Sequence, residues 1–137
     1  MKIVSACLAG IKCRWDDDAR PCQKVVELVK QGKAIPVCPE QLGGLTTPRT
    51  PAEQKKDKVF TKTGEDVTTQ FERGAKEALK IALFANCDEA IIKSKSPSCG
   101  SGKVYDGTFS GKLIDGDGVF AKILKKNNIK VFTEDEI

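Results

Sequence analysis

The chain has 137 residues, 39% of them hydrophobic and 31% charged, which suits one domain whose core needs no disulfide staples. Its net charge of +4 weakly favours anionic ligands, although a solvated lysine-rich surface accounts for it as well. There is no histidine, which excludes Ser-His and Cys-His catalytic pairs and every mixed Cys/His zinc site. The opening residues lack a secretory pattern, and no apolar run approaches ~18 residues, so a cytoplasmic protein with no membrane partner is expected. Six cysteines in such a compartment point to metal or redox chemistry rather than to disulfides.

In chain order, residues 2–6 read as a short buried strand ending at Cys7. A loop follows, with Gly10, Cys13, Arg14, Trp15 and the aspartates Asp16, Asp17 and Asp18. Pro21 suits a first helical turn, Val25, Val26, Leu28 and Val29 give that helix its apolar face, and Gly32 stops it. A strand near 34–37 contains Pro36, which removes a ladder donor and places it at an edge or a strand end. Residues 39–65 are rich in Pro and Gly and read as a long functional loop, with Val59 and Phe60 a short extended piece.

Thr69 to Glu72 has the form of a capping box. Phe71, Ala75, Ala78, Leu79, Ala82 and Leu83 recur behind it at helical spacing. Ala90, Ile91 and Ile92 are a third buried strand. Thr108 to Ile114 reads as an extended arm between two Asp-Gly turns. A helix is expected over about 118–126, and a last strand over 129–132. The alternation of strands and helices predicts a single α/β domain spanning 1–137. Its expected architecture is an open, mostly parallel, Rossmann-like sheet with flanking helices and right-handed crossovers.

Cys7, Cys38 and Cys99 each stand at or after the end of a predicted strand, beside a polar or Gly-containing loop. In an open parallel sheet those strand ends share one edge, where such folds bind ligands. A free cysteine is commonly a small buried hydrophobe, and Cys22 and Cys87 are read that way. Three at one edge point to a metal centre held by thiolates. Cys7, Cys13, Cys38 and Cys99 could close a structural zinc site, making the chain a binding module, but there are no paired CxxC knuckles. An iron–sulfur cluster takes thiolates without such pairs. Spacing alone leaves that choice open.

A thiol redox protein using Cys7 and Cys13 ranks behind both, because CxxC is absent. Gly100-Ser101-Gly102-Lys103 would need Gly at Pro97 and Ser or Thr at Val104 to be a phosphate loop, so a nucleoside triphosphatase is rejected. Glu40 is the carboxylate nearest the expected thiol cluster and a candidate acid or base. Ser96, Ser98 and Ser101 surround Cys99 and can bond a ligand. Arg14 can hold an oxyanion or a base edge, and Trp15 can stack on a planar ring.

Five stretches together resemble the thiouracil desulfurase family. They are Ser5-Ala6-Cys7-Leu8 with Cys13-Arg14, Val37-Cys38-Pro39-Glu40 with Gly43-Gly44, Pro48-Arg49 with Pro51-Ala52-Glu53, Ser96-Pro97-Ser98-Cys99-Gly100, and Tyr105-Asp106-Gly107 with Ser110-Gly111. The resemblance spans nearly the whole chain. It implies a 4Fe-4S cluster on Cys7, Cys38 and Cys99, and removal of sulfur from a thiolated uracil such as 2-thiouracil or 4-thiouracil. On that reading an open iron polarises the thiocarbonyl as a Lewis acid and Glu40 activates a water. Ser98 or Ser101 orients the ring or the water, while Arg14, Trp15, Asp16 and Ser96 bind the base. Some relatives carry an extra domain and act on thiolated tRNA, so here a small thiolated nucleobase is expected rather than tRNA. Oligomeric state has no signature in the sequence. One departure from the family pattern is Asp17, where Gly is usual and would permit a positive φ.

Overall fold

The computed structural model describes residues 1–137. The elements run β1 (Lys2–Ser5), α1 (Gln23–Lys30), β2 (Ala34–Val37), α2 (Pro39–Leu42), β3 (Ala52–Lys55), β4 (Lys58–Thr61), α3 (Thr68–Phe84), β5 (Glu89–Ile92), β6 (Lys103–Tyr105), β7 (Leu113–Asp115), α4 (Val119–Lys126) and β8 (Lys130–Thr133). The central sheet has the order β2-β1-β5-β8 and every pair in it is parallel. The expected open parallel α/β sheet is therefore what forms, and Pro36 sits on its edge strand, where a missing N–H costs no ladder bond.

The alternation of side chains along the strands builds two cores. Ile3, Ala90 and Ile92 face α3 and α4, whose Ala75, Ala78, Ala82, Phe120 and Leu124 are fully or almost fully buried. Val4 and Ile91 face the other way, toward Val25 of α1. The chain leaves β1 for β2 by way of α1 on one face. It then crosses by way of α3 on the other face to β5, on the far side of β1. Such a reversal opens a crevice at the carboxyl ends of the strands.

Several local expectations are corrected. The first helix starts at Gln23, not Pro21, because Cys22 is extended (φ −110°, ψ 119°) and acts as its cap. The capping box at Thr69 does not form: α3 already begins at Thr68. Asp66 Oδ1 accepts the Thr68 N–H at 2.9 Å, and the Thr68 hydroxyl accepts the Val59 N–H at 2.9 Å. Helix start and hairpin are thus tied together one residue earlier than the pattern suggests. Leu83, assigned to the apolar face, is exposed.

The segment 39–65 is not one loop. It holds α2 and the antiparallel β3–β4 hairpin, in which Val59 and Phe60 lie as expected. The arm 108–114 is extended only at its end, where Leu113–Asp115 pairs antiparallel with Lys103–Tyr105. Asp17 adopts φ 59°, the left-handed conformation that a glycine would take without strain. No helix is long and apolar enough to cross a membrane.

Candidate active site

A cavity of about 480 Å³ opens at the carboxyl ends of β1, β2 and β5. Cys7, Cys38 and Cys99 all line it, and Cys13 does too. Cys7 lies in a 3-10 turn (Ala6–Ala9) directly after β1, and Cys38 caps α2 directly after β2. Cys99 comes from the loop after β5, which is held from both sides. Ser96 Oγ accepts the N–H groups of Ser98 (3.2 Å) and Cys99 (3.1 Å). From below, the first N–H groups of α4 reach the same loop: Val119 donates to Pro97 O at 3.0 Å and Phe120 to Ser98 O at 2.8 Å. This approach needs Gly118, where a Cβ would lie 2.4 Å from the Ser98 carbonyl.

All six cysteines are free. The Cys13 thiol sits between Cys7 and Cys38, with one proton to share with either, which lowers the pKa of Cys7 and raises that of Cys13 itself. Cys38 is lowered to about 7, first by Cys13 and then, against the opposing effect of burial, by the Gln41 N–H. As a thiol, Cys38 instead donates to the Cys13 carbonyl at 3.7 Å. Burial pushes Cys99 up to about 12.

No three Cys, Asp or Glu side chains converge closely enough to hold a single metal ion. A cluster spreads its thiolate ligands over different irons, so its ligands stand farther apart than those of one ion. The thiols of Cys7, Cys38 and Cys99, with Cys13 beside them and no histidine, form a soft donor set that suits iron and sulfide.

Glu40 faces these thiols from the short helix α2. Its Oε2 accepts from Ser98 Oγ at 3.2 Å, and its Oε1 accepts from Arg49 Nε at 3.2 Å. Ser98 is buried, and its hydroxyl also lies 3.5 Å from Cys99 Sγ. Glu40 is placed by a close helix contact: a Cβ on Gly74 of α3 would lie 1.7 Å from Pro39 O, and one on Gly43 would lie 1.9 Å from Gln70 O.

Arg14, Trp15 and Ser96 also line the cavity, with Trp15 exposed at its mouth. Asp16 and Ser101 do not line it. Asp16 stands behind Arg14, whose Nε donates to Oδ1 at 3.3 Å, and Arg20 pairs with its other oxygen at 3.6 Å. Ser101 lies past Gly100, on the way to β6. Sequence reasoning left out Arg49, Lys93, Glu53 and Tyr105, which line the same cavity. Three of them stood in the motifs already quoted, Pro48-Arg49, Pro51-Ala52-Glu53 and Tyr105-Asp106-Gly107. Lys93 had no signal beyond following a buried strand. A second concavity, of about 580 Å³, lies between α1 and the β8 side of the sheet, lined by Lys2, Glu27, Ile91 and Phe132 among others. It holds no cysteine.

Known proteins resemble this chain along nearly its whole length. A curated Bacillus subtilis (strain 168) protein, YbbK, described as uncharacterized, is 44% identical over 147 aligned positions, covering all of this chain and 97% of that one. A solved structure described as a 4Fe-4S-dependent thiouracil desulfidase, TudS, superposes with a TM-score of 0.94 at 42% identity, covering 98% of this chain and 91% of that chain. A family model described as 2-thiouracil desulfurase matches residues 3–136. With that match running almost from end to end, the chain belongs to the 2-thiouracil desulfurase family.

Proposed function

We propose that this protein is a desulfidase that removes the sulfur of a thiolated pyrimidine such as 2-thiouracil or 4-thiouracil, releasing sulfide and the corresponding carbonyl compound. The observation that carries the reading is the Ser98–Glu40 pair in one cavity with Cys7, Cys38 and Cys99. Cys7, Cys38 and Cys99 would hold a 4Fe-4S cluster, the group on which the similar TudS structure is described as dependent. When bound, that cluster supplies a Lewis acid for the thiocarbonyl sulfur.

The rest of the work falls to the chain's own side chains. Glu40 takes a proton from water through Oε2, the oxygen not committed to Arg49. Ser98, whose single hydroxyl proton goes to Glu40 Oε2, orients that water or the ring through its oxygen lone pairs, the role first shared with Ser101, which lies outside the cavity wall. Trp15 offers a ring face at the mouth, and Arg14, braced by Asp16, offers a fixed planar donor. Ser96 acts chiefly by shaping the Cys99 loop, since its oxygen already accepts two backbone N–H groups. The reaction is hydrolytic on this reading and needs no external electron donor. A cavity of about 480 Å³ suits a nucleobase-sized ligand. A cytoplasmic setting fits six free thiols.

The test is anaerobic. The protein is reconstituted with iron and sulfide, 2-thiouracil or 4-thiouracil is added, and loss of the thiocarbonyl absorbance is followed. Turnover that disappears in Cys99→Ala supports the reading, and full activity in that variant sinks it.

A further inference from the structure

The Arg49 side chain is only 8% exposed, and it ties together segments that are otherwise separate around the cavity. Nε donates to Glu40 Oε1 at 3.2 Å, and Nη2 donates to the Cys13 carbonyl at 3.0 Å. Nη1 donates to Thr46 O at 3.0 Å and reaches Thr47 Oγ1 at 2.9 Å. Its backbone N–H donates to Trp15 O at 2.9 Å.

A carboxylate turns easily about its last bond, so its two oxygens are equivalent unless something separates them. Here Oε1 is held by Arg49, and Oε2 is left to Ser98 and the cavity. The same guanidinium holds the Cys13 carbonyl, next to Arg14 and Trp15. The spacing between the carboxylate and the ring-facing loop is thus fixed by one rigid, planar group. A lysine ammonium is a point donor on a flexible stem and cannot span Glu40 and Cys13 at once.

We propose that Arg49 is the positioning residue of this site: its fork joins Glu40 to the Cys13 carbonyl and presents the second Glu40 oxygen to Ser98 and to the bound substrate. This rests on the desulfidase reading for its consequence in catalysis, but not for the geometry itself. Arg49 touches no reacting atom, and its effect runs through Glu40.

The experiment compares wild type, Arg49→Lys, Arg49→Gln, Glu40→Gln and the Arg49→Lys/Glu40→Gln double variant, each reconstituted anaerobically. The expected result for Arg49→Lys is a kcat lower by about 100-fold, the cost of a roughly 1 Å misplacement, with a smaller change in KM. Iron and sulfide per chain stay at the wild-type level. In the Glu40→Gln background the Arg49 change costs less than about 3-fold more, since residues acting through one another are not additive. A crystal structure of Arg49→Lys shows the Glu40 carboxylate no longer within hydrogen-bond distance of Ser98 Oγ.

The proposal is overturned by a kcat within about 3-fold of wild type, or by losses that multiply in the double variant. It is equally overturned by a Glu40 carboxylate that still accepts from Ser98 in the variant crystal. Failure of both Arg49 variants to fold overturns it too, because Arg49 would then serve the fold alone. A wild-type protein that leaves both thiouracils unchanged sinks the desulfidase reading instead, and the variant crystal still decides the Arg49 geometry.

Discussion

Ser98 and Glu40 are 58 positions apart in the chain, yet the Ser98 hydroxyl donates to Glu40 Oε2 at 3.2 Å. One partner sits in a loop pinned by α4; the other rides on a four-residue helix pinned by α3. The contact exists because two glycine approaches, at Gly118 and Gly74, bring those supports within backbone contact.

The pair should therefore behave as a unit in catalysis. Glu40→Gln and Ser98→Ala are each expected to lower kcat by about 100-fold or more, the usual weight of a positioned acid or base. The double variant should fall little further. Iron and sulfide content should match wild type in all three, as neither side chain is a proposed ligand. The measurement is anaerobic turnover of 4-thiouracil beside metal and sulfide analysis.

Gly74→Ala tests the support beneath Glu40. A methyl there would lie 1.7 Å from Pro39 O, so α2 or α3 has to shift. Overpacking of this kind costs about 1–3 kcal/mol. Thermal unfolding should show that loss, and kcat should fall with it because α2 carries Glu40. An unchanged melting temperature and an unchanged kcat would mean that α2 is not fixed through this contact.

Asp17 tests the loop that carries Arg14 and Trp15. At φ 59° a glycine is relaxed, an aspartate tolerable and a β-branched residue strained. Asp17→Gly should stay within about 1 kcal/mol of wild type in denaturant unfolding, since relief of strain and loss of chain stiffness oppose each other. Asp17→Val should lose about 1–2 kcal/mol. Equal stability of the valine variant would contradict the left-handed assignment.

The Lys93–Glu134 pair ties the cavity wall to the chain after β8. Glu134 accepts from Lys93 Nζ at 2.7 Å and from the Ser94 N–H at 2.7 Å. Burial works against its charge, but these bonds outweigh it and hold the carboxyl below the ordinary range. A carboxylate depressed in the folded state adds stability above its unfolded value, and that stability is lost as pH falls through the folded one. Wild type should thus exceed Glu134→Gln by about 1–3 kcal/mol near neutral pH, the worth of hydrogen bonds to a charged group. The gap should close in acid, below the usual carboxylate range. A gap that widens on acidification would contradict this sign.

The sheet and the thiol convergence were legible because each rests on a local rule. Apolar runs that stop at Cys7 and Cys38, and one that stops shortly before Cys99, need only be parallel to bring those thiols to one edge. Arg49 was not legible as a support. Its partners Cys13, Glu40 and Thr46 come together only after segment 39–65 has folded into a helix and a hairpin, which its Pro and Gly content disguises. Ser98 and Ser101 were indistinguishable in sequence. They differ because the Ser96 turn and the α4 terminus hold Ser98 against the cavity, while the chain past Gly100 is already leaving for β6. The capping box at Thr69 failed for a related reason: the preceding hairpin supplied Thr68 with a better partner.

The central claim is that Cys7, Cys38 and Cys99 hold one iron–sulfur cluster. Its most direct test is the iron and acid-labile sulfide content of protein purified without air. The account predicts about four iron and about four sulfide per chain, with loss of both in Cys99→Ala. One zinc per chain, with no sulfide, would contradict it.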